Sequence, residues 1–253
     1  MLARRWAIFV AMCLSMVLGS VPSLADNAYN QLEWAVVSII SEGPNNDKGE
    51  GNGFIINSKI GYSELLTVSH VLHGGEAVAP SDQFCDRDVK AYASGDGRVV
   101  ISISSPLLKL TNVPATIIRD EYCHKDLAVV AIKRGPLPIA CIYQTSEWSS
   151  RRKVRSQIET IGYFGNTLQP NVYPSTQGAI QPNSGKFLLN FIPNGISGSP
   201  VAETSYGLVV GVAAQNTYAY DNMRLENFLL GKTTATWISN PLNRSLEMCK
   251  PHF

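Results

Sequence analysis

Short apolar segments separated by polar turns recur along most of the chain. Each is about six to nine residues long and rich in Val, Ile and Thr, and clusters of Gly, Pro, Asn and Asp lie between them, which is typical of β-strands joined by turns. Amphipathic helical patterns are scarce, and the best candidate lies within Asn222–Ile238. Many short strands with almost no helix predict an all-β protein. The predicted strands are Trp34–Ser41, Gly51–Asn57, Glu64–Ser69, Arg98–Ser104, Val113–Arg119, Asp126–Lys133, Gln157–Tyr163, Lys186–Phe191 and Gly207–Gln215.

The first 25 residues have the composition of a secretory signal peptide. Arg4 and Arg5 precede an apolar run from Trp6 to Leu18, and small residues follow up to Ala25. The apolar run is too short for a confident membrane span, and no later stretch approaches the necessary length. We therefore expect cleavage after Ala25, export to the periplasm or the extracellular space, and no membrane span in the mature chain.

The rest of the chain divides into two predicted β-domains. Prolines followed by polar and basic residues make Pro136–Lys153 resemble a linker between two halves. We expect an N-terminal β-domain over residues 26–140. Residues 141–253 would then hold the linker, a C-terminal β-domain and a tail.

The net charge argues against one class of function, and the cysteine content predicts disulfides. A formal net charge of +1 gives no electrostatic basis for binding nucleic acid, and we interpret the basic cluster at Arg151–Arg155 as a solvated loop. Beyond the signal peptide four cysteines remain, and an even number in an exported protein predicts disulfides. Four cysteines allow three pairings. They are Cys85, Cys123, Cys141 and Cys249.

Three stretches carry candidate chemistry. His70 ends an apolar segment, Asp126 opens another, and Ser197 lies in the glycine-flanked sequence Gly195-Ile196-Ser197-Gly198. A carboxylate at a buried strand needs a partner, and a histidine is a suitable one. Ser197 is either a plain turn residue or a nucleophile, for which His70 would be the base and Asp126 the group that orients it. The backbone N–H groups of Gly195 and Ser197 would then form an oxyanion hole.

Other residues could compete for these roles. His73 has the spacing of a metal pair with His70, but only four histidines occur and no third-ligand cluster accompanies them, so we expect no metal, no cofactor and an exposed His73. His124 is interpreted as a loop residue. Ser199 is the rival nucleophile, disfavoured because both candidate donors focus on Ser197.

These stretches resemble a known family. "LLTVSHVLHG", "HKDLAVVAI" and "GISGSPV" are similar to the histidine, aspartate and serine blocks of the trypsin/chymotrypsin-like serine proteases, in particular the bacterial secreted type, and they occur in the family's order. The blocks "GNGFIIN", "TIGYFG" and "GLVVGVAAQ" resemble the strands that frame the family's active site. The resemblance spans Trp34 to Asn216.

The resemblance implies two six-stranded antiparallel Greek-key barrels with a C-terminal helix. It also implies a serine endopeptidase that acts on protein or peptide substrates through an acyl-enzyme, and we expect a monomer. His70 and Asp126 would come from the first barrel and Ser197 from the second. A protease-like binding or scaffold protein without activity is the alternative. Ile196 stands where vertebrate members carry an activating aspartate, which excludes that activation route.

The family's substrate pocket is lined by residues before the serine and after "VVGV". An apolar floor at Phe191 would leave a substrate Lys or Arg unpaired unless Asp221 entered the pocket, and no histidine lies between Ser197 and His252 to select Glu. The resemblance therefore implies cleavage after small or medium apolar residues. The pocket residues would be Phe191, Ile192, Pro193, Asn194, Ala213, Ala214 and Gln215.

The expected cysteine pairing rests on the positions of the cysteines along the chain and on the family resemblance. Cys85 and Cys123 lie on predicted loops of the first barrel. Some family members tie the linker to the C-terminal helix, which here would join Cys141 to Cys249. We therefore expect Cys85–Cys123 and Cys141–Cys249.

Overall fold

Two antiparallel β-sheets make up most of the described molecule. The computed structural model describes residues 31–42, 48–73, 98–105, 108–120, 126–143, 157–164, 167, 169–176, 180–181, 186–189, 193–204, 207–215, 218–221, 224–225 and 228–229. A short helix α1 (Ser69–His73) lies between the third and fourth strands, and residues 31–35 are also helical. The strands are β1 (Val36–Glu42), β2 (Lys48–Lys59), β3 (Tyr62–Thr67), β4 (Arg98–Ser105), β5 (Leu108–Asp120), β6 (Ala128–Ile132), β7 (Gln157–Gly162), β8 (Asn171–Thr176), β9 (Ile180–Gln181), β10 (Lys186–Leu188), β11 (Pro200–Glu203), β12 (Leu208–Gln215) and β13 (Tyr218–Asp221).

The first six strands close into a barrel. Their order is β1-β2-β3-β6-β5-β4, and β1 completes the circle by pairing with β4. In the pairing of β3 with β6, Leu66 lies opposite Val129 and Leu65 opposite Val130. Every residue of β6 is buried, because one face of the strand packs inside the barrel and the other packs against neighbouring elements. This explains the unbroken apolar run of β6.

The second sheet has seven described strands in the order β8-β7-β11-β12-β13-β10-β9. The prediction of an all-β protein built from two antiparallel units is confirmed. The prediction of six strands in the second unit misses one, because the two-residue strand β9 adds to the sheet by pairing with β10. Of the predicted C-terminal helix, residues 224–225 and 228–229 are helical, and the remainder lies outside the described residues.

A hydrophobic core spans both sheets and fixes their relative position. It joins Leu66 and Val130 of the barrel to Val212 and Tyr220 of the second sheet, and Phe228 packs against the same cluster. Apolar burial of this kind stabilises by about 25 cal/mol per Å². A smaller cluster within the second sheet includes Phe187, Ile196, Val201 and Ala213. Side chains of β3, β6, β12 and β13 therefore meet where the sheets pack together.

The segment between the two sheets is bonded to both. The Ala140 N–H donates to the Ile55 carbonyl in the barrel, and the Tyr143 N–H donates to the Val209 carbonyl in the second sheet, each at 2.8 Å. Within the described ranges, no helix has both the length and the apolar content that a membrane crossing requires.

Several sequence predictions fall partly or wholly beyond the described ranges. These are the signal peptide at residues 1–25, the basic cluster at residues 151–155, and Cys85, Cys123 and Cys249. Cys141 is buried and disulfide-bonded, and its partner is outside the described residues. The cysteine pairing therefore stays a prediction.

Candidate active site

His70 and Asp126 form a buried pair at the edge of the barrel. His70 lies on α1, directly after β3, and Asp126 lies two residues before β6. His70 Nδ1 is 2.8 Å from Asp126 Oδ2, and the His70 backbone N–H donates to Oδ1 at 3.0 Å. Because an ionised carboxylate only accepts hydrogen bonds, Nδ1 is the donor, which leaves Nε2 of the neutral ring as an acceptor.

The backbone of Asp126 explains how one residue makes both contacts. Its φ is +51°, in the left-handed region, which Asp tolerates better than most residues. Its carbonyl also accepts a hydrogen bond from the Ser69 N–H at 3.2 Å. Asp126 thus holds the start of α1 by its main chain and by both carboxylate oxygens, which fixes the orientation of the His70 ring.

Ser197 lies on a tight turn (residues 194–198) that begins beside the second sheet, here named the Ser197 turn. Gly195 and Gly198 have φ of +90° and +86°, so glycine supplies the positive φ at both positions. Ile196 anchors the turn in the core of the second sheet, and the Gly198 N–H donates to the Ala213 carbonyl at 2.7 Å. The Ser197 hydroxyl, half-buried, donates to the Ala214 carbonyl at 3.1 Å.

Strand β2 brings the Ser197 turn close to α1. A Cβ at Gly51 would lie 2.7 Å from the Ser197 carbonyl oxygen and 2.5 Å from a methyl group of Val71, the residue after His70. The absence of a side chain at Gly51 therefore lets the Ser197 backbone and α1 approach the same point of β2. In this way the structure brings all three candidate residues to the junction of the two sheets.

Asn52 is a buried polar residue that the sequence pattern does not predict to belong to the site. Its side-chain amide donates to the Tyr163 and Gly195 carbonyls, each at 3.0 Å, and its Oδ1 accepts from the Tyr163 N–H at 2.7 Å. Its backbone N–H donates to the Ser197 carbonyl at 2.7 Å. Asn52 therefore ties the barrel to the Ser197 turn and to the end of β7.

Tyr220 is a second residue of the site that the sequence pattern does not predict. Tyr220 lies on β13, and its hydroxyl donates to Asp126 Oδ2 at 3.0 Å. Burial raises the pKa of Tyr220 well above its usual value, and the charge of Asp126 raises it further. The lone signal in the sequence is the alternation Tyr218-Ala219-Tyr220, which places both tyrosines on one face of a strand.

The remaining predicted site residues differ in their burial, and some of them lie outside the described residues. Within the described residues, the N–H groups of Gly195 and Ser197 donate no hydrogen bond to a backbone carbonyl. Pro193 is half-buried, Asn194 is exposed, and Ala213 and Ala214 are fully buried. Phe191, Ile192 and the side chain of Gln215 lie outside the described residues.

The surroundings of His73 and Ser199 bear on the two alternative assignments. The prediction that His73 is exposed is wrong, because its side chain is 6 % exposed and its Nε2 lies 2.5 Å from Asp120 Oδ2. Asp120 is the last residue of β5, so the ring bonds to a carboxylate of the barrel instead of facing solvent. Ser199, the rival nucleophile, is fully buried, and Gly162 leaves it space that a Cβ would fill. Its hydroxyl therefore has no access to a substrate.

No model of a known protein family matches the sequence, and no curated protein matches it. Solved structures do resemble the fold. The crystal structure of Deg5 gives a TM-score of 0.55 at 17% identity, covering 81% of this chain and 94% of that one. The serine endoprotease from Yersinia pestis gives 0.53 at 18% identity, covering 82% of this chain and 66% of that one.

The active form of the Rv3671c protease from M. tuberculosis is also similar. Its TM-score is 0.55 at 18% identity, with 87% of this chain and 92% of that chain covered. At such identities the likeness bears on the fold and not on the chemistry. The chain has a trypsin-like all-β fold.

Proposed function

We propose that this chain is an exported serine endopeptidase that hydrolyses peptide bonds through an acyl-enzyme intermediate. His70 would be the general base, Asp126 its orienting carboxylate and Ser197 the nucleophile. The observation that carries the proposal is the two-point contact of Asp126 with His70, through the ring at 2.8 Å and the backbone at 3.0 Å. It leaves Nε2 as the one ring atom able to take a proton.

The proposed reaction follows from these roles. Nε2 of His70 accepts the Ser197 proton as Oγ attacks the substrate carbonyl carbon, and the carbonyl oxygen becomes an oxyanion. The N–H groups of Gly195 and Ser197 stabilise that oxyanion. The imidazolium then donates its proton to the leaving amine as the C–N bond breaks, and water, activated by the same base, hydrolyses the ester.

One contact must change for this reaction to begin. The Ser197 hydroxyl donates to the Ala214 carbonyl, so this hydrogen bond must break before the hydroxyl can donate to His70. The same contact is the specific observation that favours the alternative, a protease-like binding or scaffold protein without activity.

The proposed specificity is for small or medium apolar residues. Asp221 was the acid that could have reversed this preference. It is buried, and its Oδ1 accepts the Arg224 N–H at 2.9 Å, three residues along, as an N-cap does. Because the Asp221 carboxylate makes this hydrogen bond, we expect the pocket to have no free acid. Cleavage after Lys or Arg is therefore disfavoured.

Mutant kinetics test the proposed function. The mature protein is assayed on a mixed peptide library beside Ser197→Ala, His70→Ala and Asp126→Asn, each of which should lose several orders of magnitude in kcat/KM. Ser199→Ala is the matched control, because that hydroxyl is buried two residues away. Wild-type activity in any of the three variants would refute the assigned roles. A wild-type protein without hydrolysis would favour the scaffold.

A further inference from the structure

Asp126 receives a hydrogen bond from each side of the junction between the sheets. His70 Nδ1 approaches Oδ2 from the barrel side at 2.8 Å, and the Tyr220 hydroxyl approaches the same oxygen from β13 at 3.0 Å. A carboxylate oxygen that serves two donors has its negative charge partly neutralised by each. The strength of the bond to one donor therefore depends on the presence of the other.

Tyr220 is held so that its hydroxyl keeps this direction. Its side chain is 2 % exposed, and the ring meets Tyr218 edge-on with centroids 5.9 Å apart. The Arg224 guanidinium lies 4.0 Å above the ring. A side-chain hydrogen bond also links Tyr218 to Tyr220. Because its raised pKa keeps the phenol protonated, Tyr220 remains a donor wherever a histidine changes charge.

We propose that Tyr220 is a positioning residue that sets the pH range in which His70 is neutral, an inference that rests on the proposed function of His70 as base. The charge of Asp126 stabilises the imidazolium form of His70. A phenol donating to the same oxygen reduces that stabilisation. His70 then remains unprotonated, and able to accept the Ser197 proton, at lower pH than it would beside Asp126 alone.

Among the described residues, the other titratable side chains near the Asp126–His70 pair are Tyr218, Arg224 and His73. Tyr218 is bonded to Tyr220 and also interacts with the charge of Asp126, and Arg224 lies over the Tyr220 ring. On α1, His73 is paired with Asp120. A Phe at position 220 keeps the ring contacts with Tyr218 and Arg224 and leaves the His73 pair untouched. It removes one hydroxyl, which donates to Asp126 and is also bonded to Tyr218.

The test is an NMR titration of the His70 ring in Ser197→Ala protein, with and without Tyr220→Phe. We expect the midpoint of the titration to rise by about 0.5 to 1 pH unit, since the remaining carboxylate charge favours the imidazolium. The matched control is Tyr163→Phe, which removes a buried hydroxyl without a hydrogen-bond partner among the described residues. An unchanged or lower midpoint in Tyr220→Phe, or an equal rise in Tyr163→Phe, would overturn the proposal.

A second variant covers the case in which Tyr220→Phe does not fold. Incorporation of 3-fluorotyrosine at position 220 keeps the hydroxyl and makes it a stronger donor, so the His70 midpoint should fall. A midpoint that rises or stays unchanged would contradict the proposal. Because the titration is done without Ser197, it does not depend on catalysis. Loss of the proposed function would appear separately, as a wild-type protein with a normal His70 titration and no hydrolysis.

Discussion

The side chain of Asn52 donates a hydrogen bond to the Gly195 carbonyl at 3.0 Å, which ties a strand of the barrel to the turn that carries Ser197. The same side chain exchanges two hydrogen bonds with the backbone of Tyr163. A single carboxamide therefore holds two backbone segments in place. The proposed oxyanion donors lie within one of them.

Asn52→Ala is expected to reduce both stability and turnover. It leaves the two buried backbone groups of Tyr163 and the half-buried Gly195 carbonyl without their partner, at a cost on the order of 3 kcal/mol in the free energy of unfolding. We expect kcat to fall by about 10- to 100-fold with little change in KM, because the N–H groups of the Ser197 turn lose their fixed direction. Chemical denaturation and steady-state kinetics measure the two effects.

Asn57→Ala is the matched control for this prediction. Asn57 lies on the same strand, and its side-chain amide donates to Glu64 instead of the Ser197 turn. It should cost about 1 kcal/mol and leave kcat unchanged. Equal kinetic losses in the two variants would show that Asn52 acts through general stability alone.

Gly198→Ala should be far more harmful than the equivalent change at Gly61. Both glycines have positive φ, +86° and +74°, which costs a non-glycine residue about 1–3 kcal/mol. At Gly198 a Cβ would also overlap the Asn52 carbonyl oxygen, whereas at Gly61 it would meet open space. We expect Gly61→Ala to show only the first cost and to keep its activity. Thermal unfolding with similar losses in both variants would contradict the close approach of the Ser197 turn to β2.

Sequence patterns were enough to predict most strands of this fold, because nine of the thirteen described strands lie in apolar runs bounded by turn residues. The strands that were missed lack such a run. β8 contains Pro174, β11 begins at Pro200 directly after the Ser197 turn, and β13 has only four residues. Each forms because a neighbouring strand offers a partner, which is a tertiary effect that periodicity does not carry.

The candidate site was partly predictable for a related reason. His70, Asp126 and Ser197 lie in stretches whose local composition is unusual. The sequence around Asn52 and Tyr220 is not unusual. The roles of these residues come from distant partners, which lie 111 and 143 residues away along the chain for Asn52 and 94 residues away for Tyr220. His73 was misjudged because its partner Asp120 is 47 residues away.

The cysteines give a prediction that is independent of activity. Peptide mapping of the unreduced mature protein should find Cys85 joined to Cys123 and Cys141 joined to Cys249. Each bridge is expected to contribute about 3–5 kcal/mol in the chain-entropy model. A fragment that joins Cys85 to Cys249 would refute the pairing.

Cleavage preference is predicted from the pocket and from Asp221. Profiling on a mixed peptide library should give cleavage after Ala, Val or Leu, with Lys and Arg disfavoured by about 100-fold or more because a cation would be buried without a partner. Asp221 is bonded to the Arg224 N–H, and we expect Asp221→Asn to leave this preference unchanged. A dominant preference for Lys, Arg or Glu would show that the pocket is lined by other residues.

The most direct test of the central claim is labelling with a serine-reactive fluorophosphonate, followed by mass spectrometry of the modified peptide. The proposed triad predicts one modified residue, Ser197, with labelling abolished in Ser197→Ala, slowed by several orders of magnitude in His70→Ala, and unchanged in Ser199→Ala. Folded wild-type protein that leaves Ser197 unmodified, or that is labelled equally fast without His70, would contradict the account.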